Sequence, residues 1–198
     1  MTLCLVRRSG VMLLLAALAG CGSSPKENFF TLSGPQTPPP AAAASSISVY
    51  VGPVSVPEAV DRTAMVLRTG PNQVDIDDTN RWAEPLKSAI PRVLAETLMR
   101  ELGTPRVMAS RAGTPSTVDF RVAVEIQRFD SSLDQGATLD ALWSVTPAKG
   151  AAARTGRTFA QEPSNSRDPA GVAAAHSRAL ERLARDIAAA IHGLKAGL

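Results

Sequence analysis

The stretch VDFRVAVEIQRF, Val118–Phe129, contains the clearest strand pattern in the chain. Hydrophobic residues occupy every second position from Val118 to Ile126, and polar or small residues lie between them. A period of two places successive side chains on opposite faces of a β-strand. The sequence therefore predicts a strand with one buried face, for which the rest of the domain must supply neighbours and a cover.

Shorter segments on both sides of this stretch also have strand character. They are rich in β-branched and aromatic residues and are separated by glycine, proline and asparagine. Gly70-Pro71-Asn72 is typical of a hairpin turn, and Gly52-Pro53 is expected to break the strand that contains it. The predicted strands are Asn28–Leu32, Ile47–Val56, Met65–Thr69, Gln73–Asp77, Arg106–Ala109, Leu139–Thr146 and Ala153–Ala160.

Two segments have the three- and four-residue hydrophobic spacing of an amphipathic helix. The first is predicted from Asn80 to Leu102, capped by Asp78, Thr79 or Asn80 and kinked at Pro91. The second is predicted to start at Asp168-Pro169, an N-cap acceptor followed by proline at the first helical position, and to end at Gly193. This order of elements predicts one α+β domain, a mainly antiparallel mixed sheet with two main helices packed on one face.

The N-terminus has the pattern of a signal peptide that ends on a cysteine. Arg7 and Arg8 precede the apolar run Gly10–Leu18, which is shorter than the roughly 20 residues of a membrane span. Leu18-Ala19-Gly20-Cys21 resembles a bacterial lipobox, which implies cleavage before Cys21 and acylation of that residue as N-acyl diacylglycerol cysteine. The alternative is an ordinary buried cysteine in an N-terminal helix. The lipobox divides the chain into a signal peptide (1–20), a tether (21–27) and a domain (28–198), in which 34–46 is a Pro/Ala-rich loop.

Processing at Cys21 has consequences for location and charge. Two or three acyl chains hold a protein at a membrane essentially permanently, whereas one holds it reversibly. Gly22, where aspartate tends to retain lipoproteins at the inner membrane, favours the periplasmic face of the outer membrane. Loss of Arg7 and Arg8 lowers the formal net charge from +3 to +1, and no basic cluster with interleaved aromatic residues suggests a nucleic-acid partner.

Residues that could carry catalysis or bind metals are sparse. The two histidines, His176 and His192, both fall on the last predicted helix, where packing at the domain edge is favoured over catalysis, and no Gly-x-Ser-x-Gly motif is present. Zinc ligands at a recognisable spacing are also missing. Residues 75–80 resemble the start of a calcium loop, but Asn80 and Leu86 stand where glycine and glutamate are expected. The sequence therefore predicts neither an enzyme nor a metal site.

Several short motifs together resemble the auxiliary lipoproteins of ABC-type transport systems, the paraquat-inducible protein C family. The resemblance covers nearly all of the mature chain. Its motifs are Phe29-Phe30-Thr31-Leu32, Val51-Gly52-Pro53-Val54-Ser55-Val56-Pro57, Asp61-Arg62, Arg81-Trp82-Ala83-Glu84-Pro85-Leu86 and Arg185-Asp186-Ile187-Ala188.

This resemblance implies a role, partners and a location. Such lipoproteins accompany periplasmic proteins of the mammalian-cell-entry (MCE) type and inner-membrane permease and ATPase subunits, which form lipid bridges between the two membranes. By that likeness the chain is a non-enzymatic component that docks a lipid-transport bridge at the outer membrane and contributes to envelope integrity, and a homo-oligomer is an expected assembly. It needs no cofactor beyond the lipid on Cys21. The alternatives are a periplasmic carrier of a lipid or other hydrophobic ligand, or an assembly lipoprotein for another envelope complex.

The residues Arg62, Asn80, Arg81, Trp82 and Pro85 are the candidates for a partner or subunit contact, because the distinctive motifs meet there. Two alternatives are open. Arg62 could instead pair with Glu58 or Asp61, and Trp82 could pack the first helix onto the sheet.

Overall fold

The computed structural model describes residues 26–36, 45–109, 117–149 and 152–196. Cys21 and most of the tether lie outside these residues. Within them the chain forms eight strands and two helices. The strands are β1 (Asn28–Phe30), β2 (Val49–Ser55), β3 (Ala64–Gly70), β4 (Gln73–Trp82), β5 (Val107–Ala109), β6 (Phe120–Ser132), β7 (Gly136–Pro147) and β8 (Arg154–Glu162), and the helices are α1 (Leu86–Leu102) and α2 (Pro169–Lys195).

Strand β6, which contains most of the stretch quoted first, is the centre of the sheet. One edge of β6 pairs along its whole length with β7, which pairs with β8, and both ladders are antiparallel. The other edge is shared, because β2 pairs in parallel with the first half of β6 and β3 pairs in parallel at Leu67↔Ser131. The sheet is therefore mixed and branches into β2–β5 at one end and β3–β4–β1 at the other.

The two helices cover one face of this sheet and enclose the core. The side chains that alternate inward from β6, among them Phe120, Val122 and Val124, belong to the same buried cluster as Leu94 of α1 and Leu183 of α2. No side-chain hydrogen bond caps the start of α1. At the start of α2 the Asp168 carboxylate accepts a hydrogen bond from the Gly171 amide at 2.7 Å, as the sequence predicts. The opposite face of the sheet has no helix among the described residues and is called the open face below.

The sequence-based prediction of where β4 ends and α1 begins is wrong. Asn80–Trp82 is strand, and α1 starts at Leu86 with Pro85 as its N-cap, so that none of Asp78, Thr79 and Asn80 caps the helix. The strand continues because its backbone groups find partners outside the helix. Residues 80–82 pair in parallel with β1, and the Trp82 amide donates to the Thr63 carbonyl at 2.7 Å.

Gly52-Pro53 does not end its strand as the sequence predicts. The peptide bond between these residues is cis, and the pairing of β2 with β6 shifts register between Val51 and Val54. Pairing then resumes at Val54↔Val124, so the dipeptide lies in an irregularity within one strand.

Candidate interaction surface

The five candidate contact residues lie at one corner of the fold. Asn80, Arg81 and Trp82 end β4, Pro85 caps α1, and Arg62 lies in the connection between β2 and β3. Thr63 joins these segments, because its carbonyl accepts from the Trp82 amide and its hydroxyl accepts from Arg81 at 2.9 Å. The group Arg62, Asn80, Arg81, Trp82 and Pro85 is called the β4–α1 corner.

Trp82 forms the buried part of this corner. Its side chain is only 4% exposed, and its ring makes edge-on contacts with the rings of Phe129 and His176, with centroids 6.2 and 6.1 Å away. These contacts join β4 to β6 and to the second helix, α2. In this structure the Trp82 side chain therefore packs in the core instead of presenting a surface to a partner.

His176 is a residue of a type that often takes part in catalysis, and the sequence does not reveal how deeply it is buried. It is fully buried in the core, not at the domain edge, and its ring stacks on Phe129 with centroids 3.8 Å apart. Its Nε2 lies 2.8 Å from the Ser131 hydroxyl, and its Nδ1 has no hydrogen-bond partner. Burial lowers the pKa of His176 to about 3, against a small opposing effect of Asp130.

The Ser131–His176 pair resembles a nucleophile and base only in its distance. Both side chains are buried, and no carboxylate among the described residues hydrogen-bonds to the histidine. A neutral imidazole with so low a pKa is a weak base. The pair is better explained as a polar contact that joins α2 to β6.

Arg81 and Asn80 are engaged in local bonds. Arg81 donates to Glu27 at 2.9 Å as well as to Thr63, and is about one-third exposed. The Asn80 side chain accepts from Asn28 at 3.1 Å and donates to Asp77 at 2.7 Å. Both residues therefore fix the first strand and the end of the tether to β4.

Arg62 and Pro85 form the exposed part of the corner. The carboxylate of Asp61, which the sequence offered as a partner for Arg62, instead lies 2.5 Å from Lys87 of α1. No side-chain hydrogen bond or ion pair of Arg62 is found among the described residues. The Arg62 guanidinium is thus the polar group of the corner that is free to meet another protein.

The open face of the sheet carries ion pairs between arginine and aspartate side chains, both within one strand and between neighbouring strands. Arg68 of β3 and Arg128 of β6 both donate to Asp130, at 2.9 and 2.6 Å, and Arg157 of β8 makes a two-bond pair with Asp140 of β7 at 2.8 and 2.6 Å. The hydrogen bonds from Arg157 hold the pKa of Asp140 below its usual value. These pairs neutralise the buried or half-buried carboxylates of the open face. The sequence gives no signal for the pair of Arg68 and Asp130, because these residues are 62 positions apart in the chain.

A depression lined in part by basic side chains lies at the start of β6, next to the segment that precedes β2. Arg106, Lys149 and Lys195 contribute to its lining, together with Asp119. Asp119 is held by the Ser48 amide and hydroxyl at 2.7 and 2.6 Å, and these bonds lower its pKa.

Neither a metal centre nor a membrane span is found in the described part of the chain. No group of three or more histidine, cysteine, aspartate or glutamate side chains there is arranged to hold a metal ion. None of the helices that the structure describes is both long and apolar enough to cross a bilayer.

Comparisons with known proteins agree on a family and a fold. Residues 30–188 match the family model described as an ABC-type transport auxiliary lipoprotein component. The chain is similar in structure to the protein XCC0632 of Xanthomonas campestris, of family DUF330, with a TM-score of 0.65, 21% identity, and coverage of 86% of this chain and 98% of that chain. It is also similar to an uncharacterized protein of known structure, with a TM-score of 0.65, 16% identity, and coverage of 84% and 99%. Comparison with curated proteins gave no match.

Proposed function

Because the chain belongs to the family of ABC-type transport auxiliary lipoprotein components, we propose that it is the outer-membrane-anchored, non-catalytic component of an MCE-type lipid-transport system. The family match over residues 30–188 is the observation that carries this proposal. In it, acylated Cys21 holds the domain at the periplasmic face of the outer membrane. The β4–α1 corner then docks a periplasmic MCE-domain protein, which is linked to inner-membrane permease and ATPase subunits.

The chemistry of the described residues supports a binding role over a catalytic one. The histidine that lies next to a serine is buried with a pKa of about 3, and the open-face carboxylates of Asp130 and Asp140 are held by arginines. At the corner, by contrast, Arg62 is exposed and has no partner of its own in the described chain. Arginine is enriched in protein–protein interfaces and among the residues that dominate their binding energy.

Photo-crosslinking from position 62 tests the docking surface. A photoreactive amino acid replaces Arg62 in the chain expressed in its native host, and a second variant carries it at Arg185, an exposed position on α2. We expect an adduct with an MCE-domain protein from position 62 and a much weaker one from position 185. Equal adducts from both positions, or adducts at position 62 with unrelated envelope proteins only, would contradict the assignment of the corner.

A further inference from the structure

Large exposed hydrophobic side chains are confined to one side of the described fold. All six lie on strands, and the strand register puts each of them on the open face: Phe29, Val74, Ile76, Met108, Leu142 and Phe159. Ile76, for example, pairs with Val66, whereas the neighbours of Val66 in β3, Met65 and Leu67, point into the core. The open face therefore presents hydrophobic side chains to solvent in addition to its ion pairs.

Three of these side chains lie together on the two strands of one branch. Phe29 of β1 is 60% exposed, and Val74 and Ile76 of β4 are 49% and 45% exposed. Strands β1 and β4 are neighbours. Val74 and Ile76 lie between the segment of β4 that pairs with β1 and the tip of the β3–β4 hairpin. Phe29, Val74 and Ile76 are called the hairpin patch.

The direction of β1 brings the tether to this patch. Because β1 is parallel to β4 with Asn28 opposite Asn80, the chain that precedes Asn28 leads toward the hairpin tip. The seven residue-to-residue steps from Cys21 to Asn28 can span at most about 24 Å. The part of β4 between its pairing with β1 and the hairpin tip lies opposite Ala64–Gly70 of β3, which covers about 20 Å. A lipid anchor on Cys21 would therefore keep a bilayer within reach of the tip.

We propose that the hairpin patch lies on the surface of the bilayer that holds the lipid anchor, with Phe29, Val74 and Ile76 among the lipid headgroups and upper acyl chains. This inference rests on the proposed anchor at Cys21. Apolar side chains that face the interface bury area there, while polar groups on the other face of the element stay in water. Asp75 lies on that other face, opposite Leu67, whereas Arg68 lies beside Val74 on the open face, where its charge is paired with Asp130.

The test uses the mature lipidated chain in phosphatidylcholine vesicles. Cleavage removes Cys4 and acylation blocks Cys21, so an introduced cysteine is the single free thiol. The variants are Val74→Cys and, as a control, Met108→Cys, which is also on the open face and 45% exposed. The strand register places Met108 level with Arg121, near the start of β6, and Val74 just beyond Ser131, near its end. The two labelled positions are therefore about 35 Å apart along the direction of β6. Each thiol carries a fluorophore, and lipids with a quencher in the upper acyl chain are added.

We expect several-fold more quenching at position 74 than at position 108. Vesicle-bound protein whose label at position 74 is not quenched, or is quenched no more than the label at position 108, would overturn the hairpin contact while leaving the anchor intact. A label at position 74 that is shielded in proportion to protein density but not quenched would identify a second copy as the occupant, which also overturns the proposal. Protein that fails to float with the vesicles would contradict the anchor itself, and with it the proposed function.

Discussion

At the scale of single residues, His176 makes the stability of the fold depend on pH. The unfolded chain takes up a proton on this histidine below about pH 6.5, whereas the folded chain, with a pKa of about 3, does not. Stability from this residue is therefore complete above pH 6.5 and is lost as the pH falls toward 3. Between pH 7 and pH 5 we expect the free energy of unfolding to fall by about 2 kcal/mol.

Chemical denaturation at several pH values measures this dependence. His176→Leu should remove most of the loss between pH 7 and pH 5, because leucine can pack against Phe129 but cannot titrate. His192→Ala changes an exposed histidine of the same helix and should leave the loss in place. If the His176→Leu protein lost as much stability as the unaltered chain over this range, burial of a neutral histidine would not be its cause.

A substitution at Cys21 tests whether the chain matures as a lipoprotein. Cys21→Ser removes the sulfur on which the proposed lipid attachment depends, so we expect an unprocessed or mislocalised chain in the native host. Its size on gels and its distribution between membrane and soluble fractions give the readout. Normal cleavage together with normal recovery in the membrane fraction would show that the lipobox interpretation is wrong.

Single residues were predictable where the signal is local in sequence. The Asp168-Pro169 start of α2 follows from the two side chains alone, and the structure confirms it. The burial of His176 and Trp82 against each other could not be inferred, because that contact joins β4 to a helix more than 90 residues away along the chain. Nor could the pairing of Asp61 with Lys87 instead of Arg62.

At the scale of elements, the end of β4 depends on one carboxylate. Burial raises the pKa of Asp77, but hydrogen bonds from the side chains and amides of Thr79 and Asn80 outweigh it and keep the pKa low. These four bonds, at 2.7 to 3.1 Å, hold the irregular segment between the two parts of the β3–β4 ladder. They engage the Asp77 carboxylate within residues 75–80, the segment that resembles the start of a calcium loop.

Asp77→Ala should therefore destabilise the protein by about 1–3 kcal/mol, since it leaves backbone donors unpaired. Asp75→Ala is the matched control, because Asp75 is exposed on the same strand and should cost less than about 0.5 kcal/mol. Thermal or urea unfolding of both variants measures the difference. Equal stability of the two variants would argue against a structural role for Asp77.

The presence of the main strands and helices was predictable from periodicity, but the residues at which they end were not always predictable. The alternation of Val118–Phe129 predicted β6, and the hydrophobic stripe predicted most of α1. The stretch after Asp77 is polar and could start a helix equally well. What decides for strand is its pairing with β1, which comes from a segment about 50 residues earlier. Local propensity cannot report such a long-range partner.

At the scale of the whole molecule, the sheet has one covered and one open face. The covered face contains the core that any α+β domain needs. The open face combines cross-strand ion pairs with exposed hydrophobic side chains, and the corner beside it presents Arg62. Arg68 and Asp130 meet on the open face although they are 62 residues apart in the chain. The sequence alone could therefore identify the family motifs and group the corner residues, but it could not reveal the open face.

The proposed docking of an MCE-type lipid-transport bridge predicts which proteins bind the chain in its own membrane. The measurement is affinity purification of the tagged, otherwise unaltered chain from detergent-solubilised membranes of its native host, followed by mass spectrometry. We expect recovery of an MCE-domain protein together with permease or ATPase subunits of the same system. Recovery of unrelated envelope proteins alone, from a preparation in which the chain is lipidated and membrane-bound, would contradict it.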